Sequence, residues 1–168
     1  NMKDMEDVIS KCILVKDRSG FLDGEKAIES HKVYGTEEKD GIINVYMMVC
    51  FRWFEFEDRI FTVVSGGNYP LRIQLKKKEN GEYEVLEYKQ AMDGGMWAES
   101  IREIFPKEIA EIVISDDKKT HDELWNIQVA KAQQYLKEIN REDAPVMSRV
   151  EKNRTDDKAA RKAMYLVT

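Results

Sequence analysis

"IINVYMMVCFRWFEF", residues 42–56, decides the fold. Ile43, Val45, Met47, Val49, Phe51 and Trp53 fall on one face of an extended chain, and Tyr46, Met48, Cys50, Phe54 and Phe56 fall on the other. A strand with two apolar faces is either central and covered on both sides, or strongly bent with its second face under a helix. Turn chemistry brackets it, with Lys39-Asp40-Gly41 before and Glu57-Asp58-Arg59 after.

Strand signals continue downstream. Residues 60–64 form a short β-branched run that Ser65-Gly66-Gly67-Asn68 is expected to break, and Pro70 removes a ladder donor. Leu71, Ile73 and Leu75 alternate with Arg72, Gln74 and Lys76, which gives that strand one wet face. Asn80-Gly81 then turns the chain into a last strand over residues 83–88. Every connection is too short for a parallel crossover, so an antiparallel meander is expected. Upstream, Ala27, Ile28 and Val33 mark a weaker first strand over residues 26–34, and residues 35–41 read as a polar loop.

The flanks carry the helical period instead. Met5, Val8, Ile9, Cys12, Ile13 and Val15 stripe one helix over residues 5–16, which Ser19-Gly20 stops. Asp93-Gly94-Gly95 ends the sheet region. Trp97, Ile101, Ile104 and Phe105 mark a second helix, and beyond Pro106 the residues Ile109, Ile112 and Val113 continue its apolar face. Thr120, with Glu123 three residues on, is read as an N-cap. Leu124, Trp125, Val129, Ala132, Leu136 and Ile139 then stripe a long helix to residue 140. Asp143-Ala144-Pro145 breaks it, and residues 146–168 read as a charged helical or frayed extension with no second core. The expected architecture is α+β: a curved antiparallel sheet of four to five strands against an N-terminal helix and C-terminal helices, analogous to a cystatin-like arrangement. Residues 1–145 would form one domain.

Composition excludes some functions. The chain has 168 residues, 42% apolar and 35% charged, with a formal net charge of −5. Basic residues are interleaved with acids, which argues against a nucleic-acid partner, since phosphate recognition needs a pooled basic face. No apolar run approaches the roughly 18 residues of a membrane span. Asn1-Met2 reads as the residue of a cleaved tag, so the missing leader decides nothing about location. Cys12 and Cys50 are read as buried thiols rather than a disulfide.

Catalytic patterns are sparse. His31 and His121 have no second histidine at a metal-ligand spacing, so neither metal nor cofactor is expected. Ser65-Gly66-Gly67 is not a nucleophile elbow, because a strand rather than a helix follows it. It reads as a kink or bulge, with a serine–histidine dyad formed in space left open. Asp93-Gly94-Gly95 lacks the Lys-Ser/Thr pair of a phosphate loop. The aromatic residues either fill a core or line a ligand pocket. If they line a pocket, Trp53, Tyr69 and Trp97, with Ser65, are the candidate ligand-binding residues.

The pieces "EKAIESHKVYGTEEKDGIINVY", "FRWFEFEDRIFTVVSGG", "LKKKENGEYEVLEYKQAMDGG" and "ESIREIFPKEI" resemble a region of clostridial and related Gram-positive proteins, with a looser likeness through "DELWNIQVAKAQQYLKEI". In those proteins the region stands alone or follows the membrane metallopeptidase of beta-lactam sensor-transducer (antirepressor) proteins, where it would face outside the cell. The peptidase motif is absent here. The Ser-x-x-Lys nucleophile of the associated penicillin-binding sensor is not matched by Ser10-Lys11 or Ser30-His31, so no acylation role carries over. The resemblance implies an accessory, extracytoplasmic or membrane-associated domain. The leading expectation is therefore a non-enzymatic binding or sensing module for a small ligand, peptide or protein. A small serine- or histidine-dependent hydrolase and a structural protein-interaction domain are the alternatives.

Overall fold

The computed structural model describes residues 2–116 and 118–167, with the side chains of residues 2–4 and 167 outside that description. The elements run α1 (Met2–Asp17), β1 (Lys26–Lys39), β2 (Ile42–Glu57), β3 (Ile60–Lys77), β4 (Tyr83–Gln90), a 3₁₀ turn (Gly94–Met96), α2 (Trp97–Ile104), α3 (Lys107–Ser115), α4 (Lys118–Glu138), β5 (Val146–Met147) and α5 (Arg149–Val167). The fold is α+β, as the two periodicities require. Strands β1 to β4 pair in chain order, all antiparallel.

Three details depart from the sequence expectation. First, residues 35–39 belong to β1, because Gly35 to Lys39 pair with β2 from Tyr46 back to Ile42; the polar side chains of this segment belong to a solvated hairpin tip. The turn is confined to Asp40 and Gly41, whose φ values of 53° and 78° suit a primed two-residue turn. Second, Ser65 to Asn68 do not break β3. They pair with Trp53 back to Cys50, and the irregularity is a bulge at Val64, between the Trp53–Ser65 and Phe54–Val63 pairs. Pro70 fits because its carbonyl faces the β4 side, where Ala91 N–H donates to it at 3.0 Å just past the last β3–β4 pair. Third, the sheet is mixed. β5 pairs parallel to β3 through Phe61–Val146 and Thr62–Met147, after a return through three helices that is long enough for a crossover.

β2 is covered on both faces. On one face Val45, Met47, Val49, Phe51 and Trp53 meet Met5, Ile9 and Ile13 of α1. Tyr46, Met48 and Cys50 on the other face meet Ile101, Ile104, Phe105, Ala110, Val113 and Leu124. Beyond them Phe54 and Phe61 pack with Ala132 and Leu136 of α4. Burial of each of these fully enclosed phenylalanines stabilises by about 2–3 kcal/mol. Val15 and Ile112, placed in the apolar stripes by sequence, are exposed; the real stripes run Met5, Ile9, Ile13 and Ala110, Val113. α4 buries Thr120, Leu124, Gln128, Ala132 and Leu136, an unbroken four-residue series. Thr120 thus lies inside the helix, and α4 opens at Lys118 rather than with a Thr120 cap.

The segment after residue 145 joins the domain before leaving it. Arg149 donates to Val63 O at 3.0 Å and pairs with Glu57 at 3.0 Å. Lys152, 1% exposed, pairs with Asp58 at 3.1 Å and Asp156 at 2.6 Å. Residues 153–166 are exposed.

Candidate functional site

The sheet separates the residues proposed from sequence. Trp53 and Tyr69 are each 3% exposed and belong to the core under α1. Trp97 is half-buried against the cluster on the opposite face. Ser65 stands opposite Trp53 in the β2–β3 register, and its hydroxyl donates to Leu22 O. Cys12 and Cys50 are free and lie on opposite faces of the sheet, which rules out a bond between them.

His31 is held from two sides. Its Nδ1 lies 2.8 Å from Glu29 Oε2 and its Nε2 2.7 Å from Glu6 Oε2. Glu29, 2% exposed, also meets the Lys131 ammonium, which lies 3.1 Å from its carboxylate and 2.7 Å from its own backbone carbonyl. Burial alone would push the Glu29 carboxyl up. The hydrogen bond and charge of His31, then Lys131 and Ser10, outweigh that and hold it at about 2. Burial acts against the His31 imidazolium, yet Glu29 and Glu6 together raise its pKa. A carboxylate on each nitrogen favours the doubly protonated ring, which has no free lone pair to offer as a base. The group is a clamp between α1, β1 and α4.

The second histidine belongs to a different constellation. A cleft of about 350 Å³ opens between β2, β3, the start of α4 and the start of α5. Along its wall the Arg52 guanidinium donates to Phe51 O at 2.9 Å and to Asn68 Oδ1 at 2.8 Å. The Asn68 amide nitrogen donates to His121 Nδ1 at 2.5 Å. That bond leaves His121 Nε2 to carry the ring proton. Trp125 lines the same cleft, its ring stacked on Phe54 at 6.1 Å and 15°. Asp122, Ser148 and Arg149 complete the rim.

Local backbone fixes this wall. Gly66 has φ +136°, and a Cβ there would meet Phe51 O at 2.1 Å and Arg52 Cα at 2.9 Å. Only glycine lets β3 approach β2 this closely beside the bulge. Further along α4, Gln128 is fully buried and donates to Ile28 O and Cys50 O at 2.9 Å each, joining the helix to both strands. A larger groove of about 720 Å³ runs beside Gln133, Lys137, Glu142 and Pro145, with no aromatic wall and no guanidinium.

Of this constellation Arg52 alone had a sequence signal, as the one basic residue inside the apolar run of β2. Asn68 and His121 are 53 positions apart and meet only through the tertiary fold. No group of three or more metal-ligating side chains suited to an ion occurs among the described residues, and no helix there is long and apolar enough to cross a membrane. No family model, no curated protein and no solved structure matches the chain.

Proposed function

We propose that this protein is a non-enzymatic binding or sensing module whose small ligand occupies the cleft between β2, β3, α4 and the start of α5. The observation that carries this reading is the hydrogen-bonded row Arg52–Asn68–His121, fixed in place opposite Trp125. A polar row locked before the ligand arrives lowers the ordering cost of binding. A small cleft with one aromatic wall and a few convergent polar groups is the usual form of a ligand site. The commitment of the Ser65 hydroxyl to Leu22 and of both His31 nitrogens to carboxylates favours binding over hydrolysis. The likeness to the Gram-positive accessory region adds an extracytoplasmic placement to the proposal, which fractionation of the native host would test.

Thermal-shift screening with cell-wall fragments, peptides and lipids tests the binding reading. A ligand at a hundred times its Kd stabilises by about 2.7 kcal/mol, a shift of several degrees. Stabilisation that disappears in His121→Ala supports the cleft. Absence of stabilisation by every class, or stabilisation untouched by that substitution, counts against it.

A further inference from the structure

The geometry points to an organic carboxylate with a flat apolar body as the ligand of this cleft, an inference that rests on the binding reading above. Its basis is the state of Arg52. Other cations drawn into the fold have acidic partners: Arg72 pairs with Glu87 at 2.8 Å, Lys131 with Glu29 at 3.1 Å, Arg149 with Glu57 at 3.0 Å and Lys152 with Asp156 at 2.6 Å. Arg52 is half-buried on the α4 side of β2, and its hydrogen-bond partners are neutral, a backbone carbonyl and an amide oxygen. Among the described residues no carboxylate stands within ion-pair distance of it. A half-buried guanidinium without a countercharge is a costly arrangement that an incoming anion relieves.

The shape of the site selects among anions. A guanidinium presents a planar fork that matches a carboxylate, and the proton on His121 Nε2 offers a second donor. The charges that bound the cleft are Arg52, Arg149 and Asp122, and Glu57 already offsets Arg149. Asp122 is exposed at the mouth and disfavours a second negative charge on the ligand. Trp125 supplies a flat wall for stacking. A volume of about 350 Å³ lies at the small end of ligand sites and suits an aromatic monoacid rather than a polymer segment.

The test uses the full chain and four probes: indole-3-acetate, its neutral amide indole-3-acetamide, the cation tryptamine, and inorganic phosphate. Amide chemical shifts of residues 66–68 and 121–125 are followed by NMR during titration. The expected result is saturable shifts with the carboxylate, at an affinity at least about tenfold above that for the amide, the margin of one charge-assisted pair. In Arg52→Gln that preference should fall to about twofold or less. If Arg52→Gln does not fold, the wild-type ratio of carboxylate to amide and the exposed His121→Ala variant decide, with preference reduced in the latter. Equal binding of amide or tryptamine at the same amides, or preference for phosphate, overturns the carboxylate assignment and leaves the cleft as a binding site. No shift at these amides with any probe up to about 10 mM overturns the assignment and the cleft together.

Discussion

His31 Nε2 sits 2.7 Å from Glu6 Oε2, and this single contact ties edge strand β1 to α1 by charge. Glu29 on the other ring nitrogen is almost wholly buried, so removal of the imidazole leaves its carboxylate with Lys131 as the remaining charged partner. Breaking a buried ion pair from one side is far more costly than replacing both partners. The two groups act in opposite pH directions. The pKa of Glu29 is depressed from 4.5 to about 2, so its contribution is present above pH 4.5 and is lost as pH falls toward 2. The pKa of His31 is raised above 6.5, so its contribution is complete below 6.5 and is lost as pH rises through its folded value. We expect His31→Gln to cost about 1–3 kcal/mol at pH 6 and clearly less at pH 9, by urea denaturation. Glu29→Gln combined with it should cost less than the sum of the two singles; strict additivity would show that the clamp does not act as one unit.

Asp17 should behave in the opposite pH sense to Glu29. Burial raises its carboxyl from 3.8 to about 6, against the hydrogen bond from Tyr88, whose hydroxyl lies 3.0 Å from both carboxylate oxygens. A raised carboxyl pKa means that stability is present below 3.8 and is lost as pH rises through about 6. The residue also closes α1, where a negative charge opposes the helix dipole. Asp17→Asn keeps an acceptor for Tyr88 and removes the charge. We expect about 1 kcal/mol of added stability at pH 7.5 and none at pH 4. An equal gain at both pH values would show that the charge is not the cause.

Gly66→Ala should be among the most damaging single-methyl changes in the chain. The added carbon would lie 2.1 Å from Phe51 O, on a backbone at φ +136°. A loss above about 2 kcal/mol in chemical denaturation is expected, with the Arg52–Asn68 pair displaced. Gly94→Ala is the control: its φ is +73° and nothing lies within 4 Å of the new carbon, so only the backbone cost of about 1–2 kcal/mol is expected, clearly less than at Gly66. Comparable losses at both sites would remove the close approach as the reason.

Lys152→Ala should release the outer helix without unfolding the domain. The ammonium reaches Asp58 on the β2–β3 turn and Asp156 one helical turn on, and residues 153–166 beyond it are exposed. Limited trypsin digestion followed by mass spectrometry should show cleavage after Lys158 and Arg161 several times faster than in the parent, while residues 26–115 stay intact. Unchanged cleavage rates would assign the anchoring to Arg149 alone.

Part of this structure was legible because its signal is periodic. The alternation of β2 named the occupants of both faces, and the amphipathic stripe through Leu124, Ala132 and Leu136 located α4. The expected break at Ser65 to Asn68 rested on the local preference of glycine and proline, and that preference lost to a continuous ladder against Trp53 to Cys50. Residues 35–39 were misread for a similar reason: polar side chains at a hairpin tip do not prevent their backbones from pairing. β5 has two residues, too few to show any period, and its parallel pairing depends on where three helices deliver the chain. Gln128 interrupts an apolar stripe, and its burial makes sense only with two strand carbonyls beneath it. The Arg52–Asn68–His121 row joins three segments distant in sequence, so no spacing rule reaches it.

The Lys131 ammonium on Glu29 O has a consequence beyond the clamp. β1 closes one side of the sheet, and a bare strand there is a template on which a neighbouring polypeptide can add. A charged donor already seated on one of its carbonyls takes up that acceptor, and a lysine there disfavours an incoming strand. Neutralising this lysine, by acetylation or by exchange for leucine, would unmask the border, and the first symptom should be self-association into β-rich aggregates.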